Sequence, residues 1–294
     1  MKRAQMTVAG LGLIAAVHGV ASGEMIFGLT NLQQLVTFDS QSRTVMSTTS
    51  LSGFSIGGEF MIGIDVRPAT GELFGLSNQN NLYRINAASG VASQVGGTLT
   101  PGPGGAYRML DFNPTVDRIR IMGSDGTNLR VNPDTGAVLV DGSLAFATGD
   151  ANEGDAPQIV NAAYTNSVAG ATTTTLYTID AFNDILATQV PPNNGTQNTI
   201  GPIGSDIASS SGFTGFDISG SSGAAYLVGN SLLGGGLAVN TLYSVNLTTG
   251  QALALGGVSG INGSFRDIAV VPAPGSALVL GVATIAFGRR RRSA

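Results

Sequence analysis

The chain has 294 residues, with 43 Gly, 11 Pro, no Cys and no Trp, and only 11% of its residues are charged, less than half the usual share of about 25%. Its one His (His18) and one Lys (Lys2) both lie near the N-terminus, so residues 24–271 hold eight Arg against 18 Asp and Glu, a net charge of −10. That composition excludes a Ser-His-Asp or Cys-His nucleophile, a Lys Schiff base and an ordinary structural zinc site from this span, and its acidity argues against nucleic acid as a partner.

In chain order, Lys2 and Arg3 precede an apolar run from Met6 to Val20. The small residues Gly19-Val20-Ala21 or Ala21-Ser22-Gly23 follow. A basic start, a short apolar stretch and a small-residue exit predict a secretory signal over residues 1–23. Zero Cys means that no disulfide braces the exported protein.

Residues 24–271 read as a repeat. One phrase is an apolar-aromatic strand followed by Asn or Asp. It occurs as Leu35–Asp39, Leu82–Asn86, Leu129–Asn132, Leu176–Asp180 and Leu242–Asn246. Three copies carry Gly four residues after the Asn, at Gly90, Gly136 and Gly250, where a tight turn needs a positive φ. A second phrase carries an Asp in an apolar strand: Gly63-Ile64-Asp65-Val66, Met109-Leu110-Asp111-Phe112, Gly215-Phe216-Asp217-Ile218 and Phe265-Arg266-Asp267-Ile268. A weaker copy is Ile159-Val160-Asn161-Ala162.

Successive anchors lie 46, 50, 56 and 50 residues apart. Four short strands per 40–50 residues mark a propeller blade. The predicted fold is all-β: a five-bladed β-propeller of four-stranded blades, closed by pairing of the N- and C-terminal strands, with short helical segments at both termini. A two-sheet sandwich or a β-solenoid is the competing reading. Within 24–271 the chain begins on the second type of strand and ends on the first, so both ends complete one shared blade and fewer edges stay open.

Several residues are candidates for chemistry. Asp65, Asp111, Asp217 and Asp267 would line the central channel if their strands are innermost. Paired carboxylates there would cleave a glycosidic bond or hold calcium. The structural alternative is that a repeated Asp accepts backbone N–H groups at a bend. Arg118, Arg120 and Arg130, with Asp117, form a candidate anion site or an inter-blade ion-pair network. Asp150, Asn152 and Asp155 in a Gly-containing loop offer oxygens for calcium, or a solvated loop. Pro191–Thr196 reads as a shaped turn that serves as a binding loop or a plain connection.

The chain ends in Pro272-Ala273-Pro274-Gly275, an apolar run Ser276–Phe287 and Arg289–Arg292. Residues 272–294 are therefore expected to form a sorting and membrane-anchor segment, with its arginines held cytoplasmic. The layout resembles the PEP-CTERM sorting signal of bacterial exported proteins, with Ala273 in place of the usual Glu, and implies an exosortase-like processing enzyme as a partner. The stretches Asp111–Arg120, Asn128–Gly136, Ala163–Asn166, Pro191–Thr196 and Leu242–Gly250 resemble an uncharacterised family of bacterial secreted β-propeller-like proteins, known as a domain of unknown function. The resemblance implies a fold and no catalytic residue.

The expected function is a non-catalytic binding or structural module for polysaccharide or protein, exported to the cell envelope or extracellular matrix. A carboxylate-dependent glycan hydrolase or lyase acting in the channel is the alternative.

Overall fold

The computed structural model describes residues 23–204, 215–233 and 237–271. The chain enters with β1 (Met25–Thr30), β2 (Gln34–Asp39) and β3 (Val45–Ser50). Blade 2 follows as β4 (Met61–Val66), β5 (Leu73–Ser77), β6 (Leu82–Ile85) and β7 (Ala92–Val95). Blade 3 holds β8 (Arg108–Asn113), β9 (Arg118–Gly123), β10 (Asn128–Val131) and β11 (Val138–Val140). After the two-residue β12 (Ala145–Phe146), blade 4 holds β13 (Ile159–Tyr164), β14 (Leu176–Asp180), β15 (Ile185–Gln189) and β16 (Thr196–Pro202). Blade 5 is β17 (Gly215–Ile218), β18 (Ala225–Leu233), β19 (Leu237–Val245) and β20 (Ala252–Gly257), and the final strand is β21 (Phe265–Val270).

Every blade is an antiparallel meander. The strand β21 pairs with β1 (Ile26 opposite Val270, Gly28 opposite Ile268) and completes a first blade ordered β21-β1-β2-β3. The innermost strands β4, β8, β13, β17 and β21 contact one another in sequence, and β21 meets β4, so the ring closes. The all-β, five-bladed architecture with terminal strands in one blade is as the repeat predicts. One refinement is β12, which lies parallel to β16 and adds a short fifth strand to blade 4.

The repeated Asn explains how successive strands reverse. The side-chain oxygens of Asn86, Asn132 and Asn246 accept the backbone N–H groups two and three residues on. Gly90, Gly136 and Gly250 then donate their N–H groups back to the Asn carbonyls at 2.8–2.9 Å, with φ of 73°, 72° and 84°. A side chain on Gly90 would also meet the Ser50 carbonyl at 2.2 Å. This is the local side-chain competition that favours turns over extended pairing.

Asp39 and Asp180 build the same turn with a non-Gly residue, Arg43 or Asp184, at positive φ. The copy at Leu176–Asp180 occupies the second strand of its blade, whereas the other four occupy the third. The phrase therefore encodes a strand followed by a turn and not a fixed place in the blade.

The core lies between neighbouring blades. Inner strands are buried on both faces, as in β5 and the innermost β13, which is why they read as nearly continuous apolar runs. Phe74 and Phe112 meet edge-on between blades 2 and 3, with ring centroids 5.2 Å apart. At the axis the strands approach so closely that a side chain on Gly215 would strike the Ile268 nitrogen at 2.5 Å.

The expected signal (1–23, apart from Gly23) and tail (272–294), with the helical segments predicted in them, lie outside the described residues. Among those residues no helix is long and apolar enough to cross a membrane. The helix that is described is a single 3₁₀ turn, Pro192–Asn194.

Candidate functional site

Each innermost strand brings one polar side chain to the same place: Asp65, Asp111, Asn161, Asp217 and Asp267. The four acids are buried, at 4–5% exposure. Asp65, Asp217 and Asp267 each accept the N–H of the following residue, at 2.6–2.9 Å. They also reach across blades. Asp65 accepts from Phe112 N–H at 2.7 Å, Asp111 from Tyr164 at 2.9 Å, Asp217 from Val270 at 2.5 Å and Asp267 from Ile64 at 2.9 Å. Asn161 Nδ2 donates to Asp267 Oδ1 at 3.1 Å. The repeated acids thus bond to backbone, as the structural alternative expects, but between blades rather than at a bend.

Burial sets the charge state of this group. It pushes the carboxyl of Asp217 up to about 7 and that of Asp267 to about 8. Asp65 and Asp111 are raised well above the ordinary value, first by burial and then by neighbouring carboxylates. Carboxylate oxygens of Asp65, Asp111 and Asp217 lie within 4.8 Å of one another. So many like charges cannot all ionise in a buried interior; the set either keeps protons or would surround a cation.

A second place is open to solvent. Arg118 and Arg120 on β9 and Arg130 on β10 border a cavity of about 160 Å³ with Asn113, Tyr164 and Asn193. Arg120 is 1% exposed and engages four of its five N–H groups. Its Nη1 donates to Asn128 Oδ1 (2.8 Å) and Asp141 Oδ2 (2.6 Å), its Nη2 to Asn193 Oδ1 (2.7 Å), and its Nε reaches Tyr164 Oη at 3.4 Å. Arg130 forks onto Asp141 through Nε (2.7 Å) and Nη2 (2.8 Å). Arg118 makes one hydrogen bond, to the Asp117 carbonyl at 2.8 Å, and meets no carboxylate among the described residues.

The cavity is held by a buried amide network. Gln189 Nε2 donates to the Pro192 carbonyl at 2.6 Å and Asn128 Nδ2 to the same oxygen at 3.1 Å. Gln197 Nε2 holds Gln189 Oε1 at 2.8 Å, and Thr178 Oγ1 holds Gln197 Oε1 at 2.7 Å. These bonds fix the Pro192–Asn194 turn and bring Asn193 onto Arg120. The three arginines and the Pro191–Thr196 loop, separate candidates in the sequence, therefore meet in one place.

Asp117 does not join them. Its carboxylate pairs with Arg67, whose Nε donates to Oδ1 at 2.8 Å, while Arg67 Nη1 donates to Asp134 at 2.8 Å. Arg84 also reaches Asp134 at 2.8 Å. This is the inter-blade ion-pair network, carried by Arg67 and Arg84 between blades 2 and 3. Neither residue stood out in the sequence, because Arg67 lies 50 and 67 residues from its partners. Gln189 and Gln197 carry no mark in the sequence either, and Asn128 and Tyr164 lie in stretches that resemble the family without pointing to a role.

In the Asp150 loop, Asp150 accepts from Thr199 N–H and Thr199 Oγ1 at 2.7 Å, and Asn152 Nδ2 donates to Thr199 Oγ1 at 2.8 Å. These side chains tie the loop to β16. The carboxylates that gather within metal reach among the described residues are Asp65, Asp111 and Asp217, and the Asp150–Asp155 loop is not among them.

The closed ring and its inter-blade sites define a five-bladed β-propeller. Residues 34–269 match the domain of unknown function DUF4394, and the chain belongs to that family. Among solved structures it is similar to glutaminyl cyclase of Myxococcus xanthus, with 13% identity and a TM-score of 0.46 over 69% of this chain and 80% of that one. No curated protein matches the chain.

Proposed function

We propose that this protein is a non-catalytic binding module, exported to the cell surface or extracellular matrix, that takes polysaccharide or protein on the side of the ring where blades 3 and 4 meet. The observation that carries the reading is the solvent-open cavity bordered by Arg118, Arg120 and Arg130 and framed by a buried amide network. Binding groups set on a rigid scaffold lose little freedom when a ligand arrives. Export rests on the basic-apolar-small pattern of residues 1–23, and anchoring or exosortase-like processing on the Pro-apolar-Arg pattern of residues 272–294.

A hydrolase built on Asp65, Asp111, Asp217 or Asp267 would need carboxylates that a sugar can reach. All four are buried and accept backbone N–H groups, which favours a bracing role. The test is the full chain on a glycan array, with hydrolysis followed in parallel. Retention without turnover supports the module, and turnover abolished by Asp111→Asn overturns it.

A further inference from the structure

From the same cavity, we infer that the ligand is an acidic polysaccharide, held through an oxyanion substituent (carboxylate or sulfate) that pairs with Arg118. The inference rests on the binding-module reading and names its ligand class.

The cavity runs against the charge of its host. Residues 24–271 carry −10, yet three of their eight arginines border this one space. The carboxylate that faces these arginines is Asp141, shared by Arg120 and Arg130. Asp117 is drawn away to Arg67. Three guanidinium groups against one carboxylate leave a local excess of positive charge.

The three arginines divide their work. Arg120 spends four of its five N–H groups on Asp141, Asn128, Asn193 and Tyr164 and builds the wall. Arg130 is fixed by its fork on Asp141. Arg118 is half-buried, and among the described residues its charge has no partner. A guanidinium with free N–H groups matches a carboxylate or sulfate by paired, charge-assisted hydrogen bonds.

The remaining lining selects for sugar. Asn113 and Asn193 set amides beside Arg118, and Asn193 Nδ2 makes no bond among the described residues. An acidic sugar presents an anion next to hydroxyls, which these amides complement. At about 160 Å³ the space admits one charged substituent with its ring edge.

The experiment titrates the full chain with four probes: oligogalacturonate, sulfated dextran oligosaccharide, unsubstituted dextran and poly-glutamate. The variants are Arg118→Gln, Arg118→Lys and, as a charge control in the turn after β2, Arg43→Gln. Binding of one or both acidic glycans is expected, with the arm that binds identifying the substituent. Arg118→Gln should weaken it at least tenfold, Arg118→Lys by less, and Arg43→Gln should leave it unchanged, with thermal midpoints confirming that all three are folded. The inference is overturned if poly-glutamate or plain dextran binds as well as the acidic glycans, or if Arg118→Gln and Arg43→Gln behave alike. Glycan binding indifferent to Arg118 would remove this pocket and leave the binding-module reading standing; binding by no glycan on the array would overturn the inference and leave the binding-module reading to protein alone.

Discussion

Asp267 Oδ2 accepts the backbone N–H of Ile64 at 2.9 Å, across 203 residues of sequence. The bond joins the innermost strand of blade 1 to that of blade 2, where the two ends of the ring meet. Asp267 also accepts from Ile268 and Asn161, so one buried side chain ties three strands of the axis.

Replacing Asp267 should therefore cost more than an ordinary core change. Asp267→Ala leaves two strand N–H groups and an amide without their acceptor, and should destabilise by about 2–4 kcal/mol. Asp267→Asn keeps one oxygen acceptor and should cost less. Denaturant unfolding of both variants checks this; equal losses would mean that the carboxylate does not act as the tie.

The axial acids also set the pH profile. Their folded-state values are raised, Asp217 to about 7 and Asp267 to about 8, against roughly 3.9 for an Asp in the unfolded chain. The folded state thus keeps protons that the unfolded state releases. Their contribution is complete below about pH 4 and is lost as pH rises toward about 8, at roughly 1.4 kcal/mol per pH unit for each group still protonated. Asp134, Asp150, Glu24 and Glu59 are held below their ordinary values, so their contribution appears above about pH 4 and is lost on further acidification. Stability should peak near pH 5 and fall toward pH 8, with a shallower fall in Asp267→Asn. Unfolding midpoints that stay level or rise over that range would contradict the assignment.

Two neighbouring arginines should separate stability from binding. Arg120→Met takes the buried partner from Asn128 and leaves Asp141 to Arg130 alone, and should cost about 2–3 kcal/mol. Arg118→Gln removes one bond to a carbonyl from a half-exposed site and should stay within about 0.5 kcal/mol of the parent. Thermal or urea unfolding of the pair decides it; a large loss in Arg118→Gln would place that residue in the scaffold.

Much of the fold was legible because its turns are written locally. Asn86 and Gly90 build their reversal from groups within four residues, and the same chemistry recurs at Asn132 and Asn246. The spacing of Asp65, Asp111, Asn161, Asp217 and Asp267 counted the blades, because each blade contributes one such residue to the axis. Position within a blade was less legible: Asp180 has the turn chemistry of Asp39 but ends a second strand.

The site was legible in pieces only. Arg120 and Asn193 are 73 residues apart and touch because β12 and β16 bring the Pro192–Asn194 turn beside blade 3. Nothing near Arg118 in sequence shows that Asp117 turns away toward Arg67. Partner choice among charges is decided by the packing of blades, which periodicity does not encode.

Ring closure through the terminal strands underlies every placement above, and the absence of Cys makes it directly testable. Phe27 on β1 lies opposite Ala269 on β21, so the double variant Phe27→Cys, Ala269→Cys contains one thiol pair and no competitor. Mild oxidation of the folded full chain should join the two in high yield within one molecule, detected as a linked peptide after digestion. Two free thiols persisting in the folded, oxidised protein would contradict the closed ring.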